Sequence, residues 1–301
     1  MKGKKLSVIP VMSAWSNRIG RAYILISTLI SAIIILLIAL VLFIYSWEAI
    51  SQQRADLFTS IWNPAAGQFG ILAMLYGSLM VTVIALAIAI PLGLATALFT
   101  SEMLGVRYRF HVKFLLELLA GIPSVLYGLI GVAFFSVWLG DLFDLQSGRT
   151  ILTAGILLAI MVLPTIITLG DDALHNVPRQ YREAAQGLGL YPHEVIIHIV
   201  LPLAKTDIAG AVLLALGRAL GETMAVMLVI GGIDKIPPSL VNIMVPGQTI
   251  TSKLGREIEE TAFASMHFSA LIFMGLALLV MVLALTAIAQ HYFRPGLRLY
   301  E

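Results

Sequence analysis

Six apolar runs, each long enough to cross a lipid bilayer, constrain what this chain can fold into. A transmembrane helix needs about 20 mostly apolar residues. Backbone groups in lipid must be hydrogen-bonded within the protein, which leaves only helices and closed barrels. The runs are longer than barrel strands and do not alternate apolar with polar residues, so an all-α polytopic bundle is predicted. The predicted spans are 22–45, 71–99, 114–139, 150–170, 204–232 and 263–290.

The composition agrees with a membrane bundle and excludes several functions. Of the 301 residues, 59% are hydrophobic and 12% are charged, whereas a typical soluble domain has about 25% charged residues. The formal net charge of +2 predicts no nucleic-acid partner. The chain has no cysteine, which excludes disulfides and thiol catalysis. No cofactor and no metal ion are expected.

The first run is predicted to remain in the protein as a helix. It follows several basic residues and extends from about Ala22 to Tyr45. A cleavable signal peptide has an apolar core of about 7–15 residues and a small-residue cleavage site. The run exceeds that length, so an uncleaved first span is the interpretation.

The distribution of lysine and arginine predicts that both termini are cytoplasmic. With the N-terminus inside, 13 of the 19 basic residues fall in inner segments and five in outer segments, and Arg218 lies within a span. Cytoplasmic loops are enriched in Lys and Arg. The predicted segments are a cytoplasmic tail at 1–21, the first helix with an outer loop at 22–70, the main transmembrane domain at 71–290 with an inner loop at about 171–203, and a cytoplasmic tail at 291–301.

The inner loop is predicted to form two short helices with a sharp bend. Gly187 and Gly189 favour the end of a helix, because glycine readily adopts the left-handed backbone conformation found there. Pro192 suits the first turn of a second helix. An ordinary amphipathic surface hairpin is the alternative interpretation.

The same loop resembles the signature loop of ABC importer permeases. The matching residues are Glu183-Ala184-Ala185, Gly189, Ile199 and Leu201-Pro202. The resemblance implies a MetI-like core and a bent helix pair that docks on a separate ATP-hydrolysing subunit. The implied coupling residues are Arg182, Glu183, Ala184, Ala185 and Gly189. The chain itself contains no glycine-rich phosphate loop, so it is not expected to be an enzyme.

The fifth predicted span contains two charged residues. Arg218 and Glu222 are four residues apart, so on a continuous helix they share a face and can pair. A charged residue within a span most often marks a functional path, and the predicted path residues are Arg218, Glu222 and Thr223. The alternative is an ion pair that only stabilises the bundle.

Other polar residues near the spans carry weaker expectations. Glu117 is expected within the third span near its inner end, and Asp171 and Asp172 are expected to end the fourth span and face the cytoplasm. Ser78 and Thr82 are expected to form helix–helix hydrogen bonds rather than a pathway. Prolines within the predicted spans suggest kinks; they are Pro91, Pro123 and Pro164.

The string from Leu216 to Ala225 resembles phosphate importer permeases of the PstC type, as do the stretches 117–128 and 246–252. The resemblance implies an inner-membrane permease for inorganic phosphate. Its implied partners are a sister permease of the PstA type, two ATPase subunits of the PstB type and an external phosphate-binding protein of the PstS type.

Two alternatives remain beside this resemblance, and a third is disfavoured. One is an ABC permease for another oxyanion, such as molybdate or sulfate. Another is an ion-coupled secondary transporter, which has inverted repeats and broken helices. A zinc protease is disfavoured, because His193 and His198 are five residues apart and the zinc motif needs a spacing of four.

Overall fold

The computed structural model describes residues 13–293 as a bundle of α-helices with one small β-hairpin. The predicted tails at 1–21 and 291–301 lie mostly outside these residues. The helices in chain order are α1 (Ser13–Gln53), α2 (Leu72–Leu98), α3 (Val106–Ala120), α4 (Ser124–Ile130), α5 (Ser136–Leu142), α6 (Ile151–His175), α7 (Arg179–Gly187), α8 (Pro192–Val195), α9 (Leu201–Gly221), α10 (Met224–Val229), α11 (Ile250–Glu257) and α12 (Met266–Phe293). The hairpin pairs β1 (Trp62–Asn63) with β2 (Gln68–Phe69) in an antiparallel arrangement.

Three π-helical turns extend or join these helices. They are Phe99–Met103 after α2, Gly131–Phe135 between α4 and α5, and Ile196–Val200 between α8 and α9. The last two continue the helical path, since the residues on both sides of each turn keep right-handed helical angles. The first extends α2 to Met103, and the helix ends at the extended Leu104. The helices α4 and α5 therefore form one membrane-length unit, and α8 and α9 form another.

Within the described residues, six helical stretches are long and apolar enough to cross a membrane, which confirms the predicted number. The stretches are Gly20–Phe58, Leu72–Met103, Ser124–Leu142, Ile151–His175, Pro192–Gly221 and Met266–His291. The second, fourth and sixth agree with the predicted runs to within five residues at each end, and the first extends 13 residues beyond its predicted end at 45. The third and the fifth are displaced.

The predicted third span, 114–139, is wrong at its start. Helix α3 ends at Ala120, and the membrane-length stretch begins only at Ser124. Pro123 lies between them in an extended conformation; proline has no N–H to donate and disfavours helix in the residue before it. Glu117 consequently lies on the separate helix α3 and outside the spanning stretch, contrary to the expectation.

The predicted fifth span, 204–232, is displaced toward the N-terminus. Its helix begins at Pro192 in the inner loop and ends at Gly221. The chain then breaks at an extended Glu222 and forms the short helix α10. The prediction that the second helix of the inner loop is short is therefore wrong, because this helix continues directly into the membrane-length helix.

Helix α6 is the centre of the bundle. In the most apolar 18-residue segment of α6, 67% of the residues are buried, whereas no residue is buried in the corresponding segment of α1. The apolar face of α1 is thus suited to contact lipid. Helix α2 packs along α6, and both helices continue through an internal proline, Pro91 in α2 and Pro164 in α6.

Glycines allow α2 and α6 to approach closely. A Cβ atom placed on Gly155 of α6 would lie 2.5 Å from Cγ2 of Ile84, and one on Gly93 of α2 would lie 2.7 Å from Cγ2 of Ile166. Small residues at helix contacts are typical of membrane bundles, where association depends on close van der Waals packing. The contact between α2 and α6 therefore depends on the absence of side chains at these two positions.

The end of the bundle opposite the inner loop is closed by α11 and the hairpin. Lys253 of α11 is buried and forms ion pairs of 2.5 Å with both Asp234 and Glu257. Its ammonium group also lies 5.1 Å from the centre of the Trp62 ring, a cation–π distance. Burial lowers the pKa of the neighbouring Arg256, while Asp234 raises it. These contacts tie the segment before α2 to the segment before α12.

We expect Gly155→Ala to lower the stability of the folded chain by about 1–3 kcal/mol, the usual cost of overpacking. The β-branched Ile84 that it meets has little rotamer freedom in a helix. Thermal unfolding in detergent measures the effect. Gly20→Ala in α1 is the matched control, since no heavy atom lies within 4 Å of its added Cβ. Equal unfolding midpoints for the two variants would contradict the close packing.

Candidate coupling loop and membrane site

The sharp bend predicted in the inner loop is confirmed. Helix α7 ends at Gly187, and Gly189 has a φ of +90°. The amide of Gly189 donates to the carbonyl of Gln186 at 2.9 Å, and the amide of Leu190 donates to the carbonyl of Ala185 at 3.2 Å. Left-handed backbone angles favour glycine, so the bend depends on this residue type. Pro192 then opens α8, as predicted.

The signature residues of the loop divide between the core and the surface. Ala185 is buried and packs in a small apolar cluster with residues of α6, α8 and α9. Glu183, Ala184 and Gly189 are exposed. The exposed surface continues through Leu188, which is 83% exposed, and Tyr191. One side of the bent pair therefore holds it to the bundle, and the other is free to meet a partner.

Arg182 anchors α7 to the membrane helices. Its guanidinium donates to Oε2 of Glu102 at 2.8 Å and to the carbonyl of Leu174 at 2.7 Å. Glu102 lies in the π-helical turn after α2, and Leu174 lies near the end of α6. Sequence reasoning missed Glu102, because 80 residues separate it from Arg182.

Asp171 is the second anchor, and the expectation that it faces the cytoplasm is wrong. Its side chain is buried, and it accepts hydrogen bonds from Nε and Nη2 of Arg109 at 3.1 and 2.7 Å and from the Thr100 hydroxyl at 3.1 Å. Lys113 forms ion pairs with Asp171 at 3.4 Å and with Asp172. A buried carboxylate must be paired, and α3 supplies both of its cationic partners.

Arg218 lies in the last turn of α9 and is exposed on the single chain. Its Nη1 atom donates to the hydroxyl of Thr165 on α6 at 3.0 Å. Tyr127 of α4 is near enough to interact electrostatically with it. Three different spans thus meet around this guanidinium.

The predicted pair between Arg218 and Glu222 does not form. Because α9 ends at Gly221, Glu222 has extended backbone angles and is not on the helix face that carries Arg218. Its carboxylate accepts a hydrogen bond from the amide of Ala225 at 3.2 Å and so caps α10. The hydroxyl of Thr251 donates to its carbonyl at 2.7 Å, which holds the break against α11.

The other predicted polar residues lie close to this break. The hydroxyl of Thr223 donates to the carbonyl of Gly221 at 3.3 Å. Ser78 of α2 accepts a hydrogen bond from the amide of Ile250 at 2.9 Å, which agrees with the structural interpretation. Ser78 and Thr82 also line a small cavity of about 10 Å³ beside Glu222, which is about the smallest space that can hold one water molecule.

A larger groove of about 820 Å³ adjoins Arg218. Helices α6, α9 and α12 form its walls, and it extends toward the end of the bundle that carries the inner loop. The site therefore combines one exposed guanidinium at the end of a membrane-length helix with an open volume large enough for a small ion and its hydration shell.

Comparison with known proteins identifies the family of this architecture. Residues 89–299 match the model of the binding-protein-dependent transport system inner membrane component family. The chain is 36% identical over 274 residues to the phosphate transport system permease protein PstC of Mesorhizobium japonicum, with 84% of this chain and 83% of the relative covered. It is 33% identical over 277 residues to PstC of Haemophilus influenzae, with 85% of each chain covered.

A further relative and two solved structures agree with this match. The probable ABC transporter permease protein YqgH of Bacillus subtilis is 34% identical over 229 residues, covering 75% of this chain and 73% of the relative. A bacterial ABC transporter for alginate import gives a TM-score of 0.58 at 18% identity, covering 94% of this chain and 99% of the other. The inward-facing MetNI methionine ABC transporter gives a TM-score of 0.54 at 14% identity, covering 78% of this chain and 98% of the other.

The structural likenesses confirm the predicted MetI-like fold, and the family model and the curated relatives each cover most of the chain. The chain therefore belongs to the binding-protein-dependent transport system inner membrane component family and is a multi-pass permease subunit of an ABC importer.

Proposed function

We propose that this chain is one of two permease subunits of an ATP-driven importer of inorganic phosphate. Relatives named as phosphate transport permeases align over most of their own length and most of this chain. The exposed guanidinium of Arg218 beside the groove is the observation that supports the substrate class. Guanidinium recognises oxyanions through paired hydrogen bonds.

The charge of Arg218 is available to a substrate. Among the described residues it forms no ion pair, and its hydrogen-bond partner is the neutral hydroxyl of Thr165. The partly buried Arg109, by contrast, is neutralised by Asp171. An arginine within a membrane that lacks an acidic partner is costly unless it faces water or a ligand.

The proposed partners follow from the inner loop and from the family. The exposed side of the bend, with Glu183, Ala184 and Gly189, would dock on an ATPase of the PstB type, whose two copies hydrolyse ATP. A sister permease of the PstA type would form the other half of the path, and an external binding protein of the PstS type would deliver phosphate. With the ATPase on the inner-loop side, the inner loop and both termini would lie in the cytoplasm.

The anchoring contacts support a mechanical connection through which movement of the ATPase reaches the substrate path at Arg218. Movement of α7 is passed to α2 and α6 through the bonds of Arg182 to Glu102 and to the Leu174 carbonyl. Movement of α8 is passed along the helix that ends beside Arg218, because that helix has no non-helical break from Pro192 to Gly221. Closure of the ATPase pair would thereby reorient the anion site.

Uptake of radiolabelled phosphate into proteoliposomes that contain all four kinds of subunit tests the proposal. ATP inside the vesicles should drive uptake, and excess unlabelled phosphate should compete for it better than sulfate or molybdate. Uptake driven by an ion gradient without ATP would indicate a secondary transporter. Stronger competition by sulfate or molybdate would indicate a permease for that oxyanion.

We expect Gly189→Val to reduce both retention of the ATPase subunit and phosphate uptake. Valine at a φ of +90° is strained, at a cost of about 1–2 kcal/mol for a left-handed residue, so the bend should open. Gly187→Val is the matched control, since Gly187 is also free of neighbours but lies within α7 at ordinary helical angles. Co-purification of the ATPase and uptake per complex are the measurements. Normal values of both in Gly189→Val would contradict the docking role of the bend.

We expect Arg218→Gln to abolish phosphate uptake while leaving the amount of folded complex unchanged, because no buried carboxylate loses its partner. Arg218→Lys should recover little uptake, since an ammonium group lacks the planar fork of guanidinium. Uptake per folded complex and complex yield are measured together.

Arg109→Gln provides the contrasting control. It removes the nearest partner of the buried Asp171, and losing one member of a buried pair costs about 3–5 kcal/mol, so this variant should lower the yield of folded complex. The double variant Arg218→Gln with Glu222→Gln should remain inactive, because the two residues are not paired. Normal uptake in the double variant would exclude Arg218 from the anion path.

A further inference from the structure

Thr165 is the residue that Arg218 contacts directly. It lies in the second half of α6, the central helix of the bundle. Within residues 13–293, its hydroxyl oxygen is the sole hydrogen-bond acceptor of the Arg218 side chain, at 3.0 Å from Nη1. Its neighbours in sequence, Pro164 and Ile166, are buried. The backbone that carries the hydroxyl is therefore fixed in the bundle.

The proton of this hydroxyl has no acceptor in the described part of the chain. A threonine hydroxyl can donate one hydrogen bond and accept two, and in helices it often donates to a carbonyl three or four residues earlier. Thr28 and Thr96 do so, each at 2.8 Å. Thr165 donates no such bond and accepts only from Arg218. Its proton is therefore available to a ligand beside the guanidinium.

The hydroxyl of Tyr127, which interacts electrostatically with Arg218, is already committed. It donates to the carbonyl of Leu119 at 2.9 Å, a bond that ties α4 to α3. A phenol has one proton to donate, so this proton is not available to an anion. Of the two hydroxyls, Thr165 is thus the one that can supply a neutral donor.

A guanidinium and a free hydroxyl side by side suit a tetrahedral oxyanion. Arg218 has five N–H donors, of which one is bonded to Thr165. One oxygen of the anion can accept from the remaining N–H groups while a second accepts from the Thr165 hydroxyl at about 2.7 Å. Hydrogen bonds to an ionised group are about twice as strong as neutral ones. A carboxylate in place of this threonine would instead neutralise the arginine and repel the anion.

We propose that Thr165 is part of the oxyanion site, where its lone pair positions the Arg218 guanidinium and its proton is donated to the bound anion. The inference rests on the proposed function, in which Arg218 binds the anion, and adds to it a neutral donor on a second helix. An anion that contacts both residues therefore links α6 to α9.

Equilibrium binding of labelled inorganic phosphate to the reconstituted complex, without the binding protein, tests the contact. Binding that disappears in Arg218→Gln defines the site and excludes phosphate held by the ATPase. Thr165→Val, which removes the hydroxyl at nearly the same shape, should raise the dissociation constant of this site at least tenfold, the effect of losing a hydrogen bond to a charged group. Thr165→Ser, which keeps the hydroxyl, should stay within about threefold of the original complex.

The outcomes separate the role of Thr165 from the proposed function. Equal dissociation constants for Thr165→Val and the original complex would overturn the proposal. If the original complex shows no binding that depends on Arg218, the Arg218 site itself fails, and this inference fails with it. If sulfate binds to the site better than phosphate and Thr165→Val weakens sulfate binding, the phosphate assignment fails while the role of Thr165 stands.

A serine whose hydroxyl oxygen carries a methyl group separates the two roles of Thr165. O-methylserine at position 165 keeps the oxygen that Arg218 contacts but has no proton to donate. It should bind phosphate as poorly as Thr165→Val does. Binding equal to that of Thr165→Ser would show that the residue only positions Arg218, and would overturn the donated hydrogen bond.

ATP-driven uptake tests the same contact during transport. Thr165→Val should lower phosphate uptake per folded complex at least tenfold at unchanged complex yield, and Thr165→Ser should restore most of it. Thr28→Val in α1 is the matched control and should leave uptake unchanged, because that hydroxyl is bonded within its own helix. Normal uptake in Thr165→Val would exclude the residue from the site. A loss that Thr165→Ser does not recover would indicate a packing role and would also overturn the proposal.

Discussion

The close packing of α2 against α6 is the contact on which the rest of the structure depends. Two glycines, Gly93 and Gly155, let the helices approach to a distance that no side chain at those positions would permit. With α6 held at the centre, both of its ends become attachment points. The amide of its first residue, Ile151, donates to the carbonyl of Val245, and its last turns carry Asp171 and Leu174, which accept hydrogen bonds from Arg109 of α3 and Arg182 of α7. The groove is likewise formed against its free side.

The polar anchors at the inner end show how a membrane protein maintains a rigid connection where apolar packing offers little specificity. Asp171 is surrounded by Arg109, Thr100 and Lys113, and Glu102 is bonded to Arg182. The hydrogen bonds of Arg109, Thr100 and Arg182 are directional, and together the contacts join α2, α3, α6 and α7. Displacing one of these elements without the others would leave a buried charge unpaired, which is strongly unfavourable. The inner end therefore moves as a unit.

The sequence was sufficient for features that depend on local chemistry. Six spans follow from apolar run length, and the bend at Gly189 follows from glycine and proline spacing. The sequence was insufficient for the ends of helices where apolar residues continue past the break. The apolar residues 224–230 resemble a continuing span, so the break at Glu222 and the capping of α10 went unpredicted. Pro123 suggested a kink but marks a complete break. Partners far apart in sequence, such as Arg109 with Asp171, leave no local signal.

The unbroken helix from Pro192 to Gly221 has a geometric consequence. Arg218 lies about 39 Å from the start of this helix at 1.5 Å per residue. A tilt of about 10° around the inner end would move the guanidinium by about 7 Å if the helix stays straight. That displacement exceeds the reach of a hydrogen bond, so it would separate Arg218 from Thr165. A small rotation at the inner-loop end of the helix is thus magnified, by the length of the helix alone, into a change of hydrogen-bond partner at the proposed anion site.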